Sequence, residues 1–433
     1  MDRKNVLIFP CDTEIAYEII DSIKRKKYFK PILGCHKIDE KYMFKNIHFI
    51  PFENEKNFYM ELNKLIEKEN IEFVLPANDD LAYNLSHNLD KINATVIIHN
   101  PMAHEVCRFK DKTYEYFSNK IPCPDVYNPI DINQSMFPIF VKPKRGQGSY
   151  KAIKIDDFKQ YQFFLNSENI DDYIFCEYLP YEEFTVDCFS HNGNLLYLSV
   201  RKREKTFRGI SIVTSLCRDV SVNKQVEEYA RIISKELNLH GVFFFQVKYD
   251  KNYNLKLLEI GLRVPGSLAL NRALGTNLIE IMLYQWSGLL NENSIIYKND
   301  IQYDLTLFRP LNRLVMMNIN FDVVYVDFDD TLVDSEGKVN TDIIKFIFES
   351  KNLNKKICLI TKDGNKKLLK YLKELGIFYI FDEVIYLSKY EKKVNYMTKP
   401  SILIDDSFIE RKEAMENGIP AYDPESIKLF ILE

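Results

Sequence analysis

Two separated groups of residues in this chain have types and spacings suited to phosphate chemistry. The first lies in Leu257-Leu258-Glu259-Ile260-Gly261-Leu262-Arg263-Val264-Pro265-Gly266-Ser267, which reads as a strand carrying one carboxylate, then a turn that delivers a guanidinium and a glycine. Such a pairing suits a site for a divalent cation and polyphosphate. The bland alternative is a core strand in which Glu259 only pairs with Arg263. Upstream, Gln246 sits in Gly241-Val242-Phe243-Phe244-Phe245-Gln246-Val247-Lys248-Tyr249, and a turn over Asp250-Lys251-Asn252-Tyr253-Asn254 would bring it beside Glu259.

The second group begins at Val323-Val324-Tyr325-Val326-Asp327-Phe328-Asp329-Asp330-Thr331-Leu332, an apolar strand that ends in two aspartates spaced i, i+2. Side chains two apart share a strand face, so Asp327 and Asp329 converge at the carboxyl end, where open α/β sheets place their sites. A later strand, Lys356-Ile357-Cys358-Leu359-Ile360-Thr361, ends in a hydroxyl; another, Ser401-Ile402-Leu403-Ile404-Asp405-Asp406, ends in two carboxylates.

The chain has 433 residues, enough for about two to four domains. With 28% charged and 46% hydrophobic residues it has the composition of an ordinary globular protein, and a net charge of -4 gives no reason to expect nucleic acid. No apolar run approaches the ~20 residues that span a bilayer, and the start does not resemble a signal peptide. No membrane partner and a cytoplasmic location are therefore expected. The 8 cysteines are scattered without metal-ligand spacing, which predicts reduced, mostly buried thiols.

Strand and helix patterns alternate over residues 1–105: Val6 to Phe9, a helix through Ile15 to Ile23, a helix over Phe58 to Glu69, and strands at Phe73 to Pro76 and Val96 to Ile98. They predict a parallel, doubly wound, Rossmann-like sheet. No dinucleotide glycine fingerprint follows the first strand, so no cofactor is assigned there. Residues 106–312 carry the next candidates. The strand Phe137 to Pro143 leads into Lys144-Arg145-Gly146-Gln147-Gly148-Ser149, whose glycines let backbone N–H groups curl around phosphate or else form a plain hairpin. Ile174 to Leu179 and Glu182 to Asp187 alternate acidic and apolar residues; Arg201 to Gly209 is a basic run, either a solvated hairpin or a flap over anions.

The ordered set Lys112, Lys142 with its glycine loop, Glu177 to Glu183, Gln246, Glu259 and Arg263 resembles the ATP-grasp superfamily over roughly residues 1–310. The nearest look is to the carbamoyl-phosphate-synthase-like branch, through Gln246 and through Arg263-Val264-Pro265-Gly266-Ser267-Leu268-Ala269-Leu270. The resemblance implies an α+β ATP-grasp domain after a Rossmann-like domain. It implies that Lys112 and Lys142 contact ATP phosphates or adenine, Gly146, Gly148 and Ser149 cover the phosphates, Glu177 and Leu179 meet adenine, and Glu183 meets the ribose. Gln246 and Glu259 would hold Mg²⁺, with Arg263 and Arg203 as catalytic residues, Arg263 at the transferring phosphoryl group. One departure from the pattern is Gly261, which stands where the family carries an asparagine and would weaken one Mg²⁺ site.

Residues 321–433 resemble the haloacid-dehalogenase (HAD) superfamily, a Rossmannoid fold, on the strength of Asp327-Phe328-Asp329-Asp330-Thr331, Thr361 and Asp405-Asp406 in order. The resemblance implies Asp327 as nucleophile and Asp329 as general acid/base. It implies Thr361 and Lys393 on the phosphoryl oxygens, with Lys389, Lys392 and Lys399 as rivals for the lysine. It puts Asp327 and Asp329, with Asp405 or Asp406, about Mg²⁺. Only one helix fits between Leu332 and Lys356, so the site is expected to be capless and open.

Together these readings predict an ATP-dependent carboxylate-amine ligase fused to a phosphatase, acting on a small-molecule acid and amine. The fusion makes most sense if one ligase substrate carries a phosphate monoester, which Arg201, Arg203 and Arg208 would grip. An ATP-grasp kinase, or a nucleotide-binding module attached to a phosphatase, are the alternatives; Gly261 is the main support for the module. A homo-oligomer is compatible with the resemblance, and no motif identifies the acid or the amine.

Overall fold

In the computed structural model the apolar run Val6 to Phe9 is the fully buried end of the strand Lys4–Phe9. The structure describes the chain except residues 1–2, 37–45, 147, 149, 208, 291–304, 310–314, 318–319, 363–365 and 433. It divides into two compact units, Met1–Pro310 and Leu311–Glu433.

The first unit opens with a five-stranded parallel sheet in the order Ile47–Phe49, Phe29–Cys35, Lys4–Phe9, Ile71–Pro76, Thr95–Val96. Helices cover both faces, as an all-parallel sheet requires. Glu14–Ile23 and Leu278–Trp286 pack on one face, Phe58–Lys68 and Asp79–Ser86 on the other. The expected strand Val96 to Ile98 shrinks to Thr95–Val96, because only those two residues find a ladder partner on this edge. The strands Phe29–Cys35 and Ile47–Phe49 were not legible as an alternating run.

The prediction of wholly reduced thiols is also corrected. Cys11 and Cys35 form a disulfide, with Cα atoms 5.5 Å apart. Parallel pairing of Lys4–Phe9 with Phe29–Cys35 brings their carboxyl ends together, and the Cys11 N–H donates to Gly34 O at 2.8 Å. The two cysteines are adjacent in space although 24 residues apart in sequence.

A four-stranded antiparallel sheet follows, in the order Val126–Tyr127, Tyr173–Glu177, Ile139–Pro143, Ile153–Ile155. A six-stranded sheet then runs Leu255–Gly261, Gly241–Tyr249, Glu183–His191, Asn194–Phe207, Ile210–Leu216, Thr306–Phe308. Period-two alternation splits this larger sheet into two faces. Phe184, Val186, Cys188, Phe243, Phe245 and Val247 pack against helix Val220–Glu236, leaving Glu183, Thr185, Asp187, Phe244, Gln246 and Lys248 on the opposite face.

The second unit is built on five parallel strands in the order Glu383–Tyr386, Lys356–Thr361, Val323–Val326, Ser401–Ile404, Ala421–Tyr422. Helix Thr341–Asn352 is the only α-helix among the described residues between its first two strands. Its Asn340 cap accepts hydrogen bonds from the N–H groups of Asp342 and Ile343. Among the described residues, no helix is long and apolar enough to cross a membrane.

Candidate functional site

Register across the six-stranded sheet lines up a polar row. Arg201 lies opposite Thr185, Thr185 opposite Gln246, and Gln246 opposite Glu259. Directly opposed residues share a sheet face, so four strands present these side chains to one cleft. Gln246 and Glu259 have no hydrogen-bond or ion-pair partner among the described residues. An amide oxygen and an unpaired carboxylate side by side fit a hard cation.

Two adjoining spaces meet at this pair. Both are bordered by Lys110, Gly146, Gly148, Arg203, Gln246 and Glu259. The first continues past Arg263, Asp79 and Arg309; the second continues between Phe140, Cys176, Tyr178, Leu179 and Leu258, with Lys142 and Glu183 on its walls. Apolar side chains wall part of the second space and arginines line the first, an arrangement with room for a flat ring beside anionic groups.

Lys142 is buried, donates to the Tyr114 hydroxyl at 2.6 Å and lines the slot. Glu177 lines it beside Lys256, at 3.5 Å. Glu183 is held by Arg203 at 2.9 Å and by Lys248 at 3.7 Å. Gly146 and Gly148 have φ of 155° and 63°, conformations that favour glycine. Ser149 and Arg208 lie outside the described residues.

Lys112 is not brought to the cleft. It pairs with Glu105 on the surface and lies over the Phe109 ring. Lys110 takes the position instead, donating to Gly146 O at 2.9 Å, and burial lowers its pKa while Glu259 raises it. The two lysines are separated by one residue at the start of helix Lys110–Phe117, so they face different ways. No sequence signal separated them beyond that geometry.

Arg263 lines the first space, but its partner is Asp79 at 2.9 Å, not Glu259. Arg201 is corrected too: it is not on an exposed flap but buried against Asp187, with two hydrogen bonds at 2.6 and 2.8 Å. Asn271 also donates to Asp187 at 2.9 Å, leaving a buried pair with its hydrogen bonds made. Arg203 donates to Gly209 O at 2.6 Å across the hairpin turn.

The reading of Gly261 changes as well. It lies opposite Phe244, and a Cβ built on it would stand 2.2 Å from the Phe244 ring. The glycine makes room for an aromatic neighbour; an asparagine could not sit there without displacing the ring.

In the second unit, Asp327 follows the central strand and Asp405 follows its neighbour, so the two buried carboxylates meet at the carboxyl edge. Lys393 bridges them at 2.5 and 2.7 Å. Of its rivals, Lys392 pairs with Glu413. Burial lifts Asp327 to about 7; Lys393 opposes the shift and Asp405 adds to it. Asp405 is raised by burial in the same way.

Oxygens of Asp327, Asp405 and Asp406 lie within 4.8 Å of one another, a carboxylate set that fits a divalent cation. Asp329, also expected at the metal, has an exposed carboxylate that is not in that set. Thr331 Oγ1 accepts from the Asp406 N–H at 2.9 Å and fixes this edge. Thr361 is buried at the end of the adjoining strand, next to Asp327's own strand.

Comparison with known proteins gives a name to the first unit's fold. Residues 169–305 match the family model described as ATP-grasp in the biosynthetic pathway with Ter operon. No curated protein sequence matches the chain. Among solved structures, the biotin carboxylase domain of Hydrogenobacter thermophilus 2-oxoglutarate carboxylase, with MgADP, ADP and bicarbonate, has a TM-score of 0.58 at 14% identity, covering 69% of this chain and 73% of that one. Staphylococcus aureus N5-carboxyaminoimidazole synthetase with ADP scores 0.56 at 16% identity, covering 72% and 83%. The L-amino acid ligase of Bacillus licheniformis scores 0.53 at 15%, covering 69% and 78%. At such identities the likeness concerns the fold alone: the first unit is similar to ATP-grasp folds within a mixed α/β architecture.

Proposed function

We propose, from the ATP-grasp likeness as premise, that this chain joins a carboxylate to an amine at the expense of ATP, and that its second unit removes phosphate from a substrate or from the ligated product. The single observation carrying the first part is the opposed pair Gln246 and Glu259, unpaired among the described residues, at the junction of the two spaces. The nucleotide base would lie in the slot of Lys142, Glu177, Leu179 and Glu183, with its phosphates toward Lys110, Gly146, Gly148 and the undescribed Ser149. Gln246 and Glu259 would hold Mg²⁺, which supplies charge neutralisation for phosphoryl transfer. The acceptor carboxylate would take the γ-phosphoryl group, with Arg263 and Arg203 close to the developing charge. The amine then displaces phosphate from the acyl phosphate, leaving an amide, ADP and inorganic phosphate. Relatives of this fold include proteins crystallised with ADP and an L-amino acid ligase, which favours a ligase over a kinase.

The nucleotide-binding-module alternative leaned on Gly261, and the Phe244 ring accounts for that glycine without reference to a metal.

The phosphatase part rests on the second unit's own residues. Asp327 would attack the phosphorus of a monoester, with Asp329 giving a proton to the leaving alcohol and later taking one from the attacking water. Lys393 and Thr361 would hold phosphoryl oxygens, and Asp327, Asp405 and Asp406 would hold Mg²⁺. Burial lifts Asp327 to about 7 even with Lys393 beside it, so a bound cation would favour the ionised form that a nucleophile needs. A phosphorylated ligase substrate would give the two units a common product line.

The test is ADP release from ATP against paired acids and amines, with phosphate release from monoesters measured separately on the same full chain. A requirement for both an acid and an amine supports the ligase; a requirement for one acceptor alone would point to a kinase.

A further inference from the structure

The strand Leu255–Gly261 reverses its facing midway. Leu255 and Leu257 lie in the core, and so do Ile260 and Leu262, so the alternation slips by one residue between Leu257 and Ile260. The pairing shows where: Val247 lies opposite Leu257 and Gln246 opposite Glu259, which leaves Leu258 with no partner residue. Leu258 is the extra residue of a β-bulge, a device that re-aims side chains. A slip of one residue turns every later side chain to the other face of a strand. Without the bulge Glu259 would share the core face of Leu255 and Leu257; with it, Glu259 borders the cleft beside Gln246.

A bulge frees backbone groups from the ladder, and these need other partners. The Leu257 N–H donates to Pro122 O at 2.8 Å, and the Leu258 carbonyl accepts from the Tyr114 hydroxyl at 2.8 Å. Tyr114 is buried and stands one turn after Lys110 on helix Lys110–Phe117, on the same side. Its oxygen accepts from the Lys142 ammonium at 2.6 Å, and that ammonium also lies 5.0 Å from the centroid of the Tyr114 ring. Burial raises the pKa of the hydroxyl well above its ordinary value, so it keeps the proton that it gives to Leu258.

One buried phenol thus joins the lysine of the slot to the backbone that aims Glu259. Lys142 Nζ is already 3.5 Å from Leu258 O. Stripped of the phenol oxygen, the buried ammonium and the buried carbonyl would each lack a partner and would close on one another. That movement draws Lys142 away from the slot and slackens the bulge. We propose that Tyr114 is a positioning residue: its hydroxyl holds Lys142 toward the nucleotide and holds the Leu258 bulge in the form that presents Glu259 to Mg²⁺, which couples the two binding events. The proposal rests on the reading of this cleft as the site of ATP and Mg²⁺.

The test is calorimetric titration of the full chain with ADP at saturating Mg²⁺, and with Mg²⁺ at saturating ADP, for the intact protein and three variants. Tyr114→Phe should weaken ADP by about fivefold or more and raise the Mg²⁺ concentration at half-saturation by about fivefold or more. Lys142→Met leaves Tyr114 on the Leu258 carbonyl, so it should weaken ADP yet shift the Mg²⁺ midpoint by less than about twofold. Thr113→Val removes another buried hydroxyl of the same helix, one that bonds Val106 O at 2.8 Å and Phe109 O at 3.0 Å. It should leave both affinities within about twofold, as a purely structural loss would. A Tyr114→Phe protein that binds ADP and Mg²⁺ like the intact chain would overturn the proposal. So would a Mg²⁺ midpoint raised by about fivefold in Lys142→Met or Thr113→Val, a result that stands whether or not Tyr114→Phe folds. An intact chain that binds no ADP at millimolar concentration would sink the nucleotide reading itself, and the proposal with it.

Discussion

The ring of Phe244 fills the space above Gly261, so closely that a side-chain carbon on the glycine would stand 2.2 Å from ring atom Cε1. The Arg263 guanidinium lies 5.1 Å from the centroid of the same ring. Glycine and guanidinium therefore both border this ring at the wall of the cleft. Gly261→Ala should destabilise the first unit by ~1–3 kcal/mol through overpacking, and by clearly less in a Phe244→Ala background. Unfolding midpoints of the four proteins check this. Equal costs in both backgrounds would mean that the ring is not what requires the glycine.

The choice between two lysines gives a second prediction. Lys110 borders both spaces and Lys112 borders neither. Lys110→Ala should reduce ATP-dependent turnover by about tenfold to hundredfold, while Lys112→Ala, which removes an exposed pair with Glu105, should change it by less than about twofold. Titration with a nucleotide analogue shows whether the loss is in binding.

Acid sensitivity is the third. His99 is buried, its Nε2 bonded to Val242 O at 2.9 Å and its Nδ1 receiving the His240 N–H at 3.3 Å. Burial lowers its pKa to about 4, against a weaker upward pull from the Val242 carbonyl. Below the ordinary histidine value the unfolded chain takes up a proton that the folded chain refuses, so stability falls as pH drops from about 6.5 to about 4. The slope is ~1.4 kcal/mol per pH unit for this residue, and His104 behaves alike. Trp286, the only tryptophan, reports unfolding of the first unit alone. Its denaturant midpoint should decline over that interval, less steeply in His99→Gln. An unchanged slope in the variant would contradict the assignment.

Much of the second unit could be read directly, because its strands are short apolar runs that end in carboxylates or a hydroxyl. Asp327 and Asp405 are far apart in sequence, yet parallel pairing of neighbouring strands fixes where they must meet. Lys393 was harder, since its neighbours are also lysines and only burial separates it from them. In the first unit the opposition of Gln246 and Glu259 followed from a turn of ordinary length. Which lysine faces the cleft, which acid holds Arg263, and why position 261 is glycine depend on contacts between elements distant in sequence. Asp79 and Arg263 are 184 residues apart, and no local pattern links them. Cys11 and Cys35 escaped for the same reason: spacing along the chain does not reveal a neighbouring strand.

The two units carry separate carboxylates, which gives a fourth prediction. Asp327→Asn should lower monoester hydrolysis by about 1000-fold or more and leave ADP formation within about twofold. Loss of both activities in a folded variant would refute the division of labour.

The most direct measurement of the central claim is ADP formation by the full chain and by Glu259→Ala, with Mg²⁺, over a matrix of carboxylates and amines. The intact chain should form ADP only where an acid and an amine are both present, with amide in equal amount, and Glu259→Ala should lose this by about 100-fold or more while folding normally. ADP formed without an amine, or a Glu259→Ala protein as active as the intact chain, would contradict it.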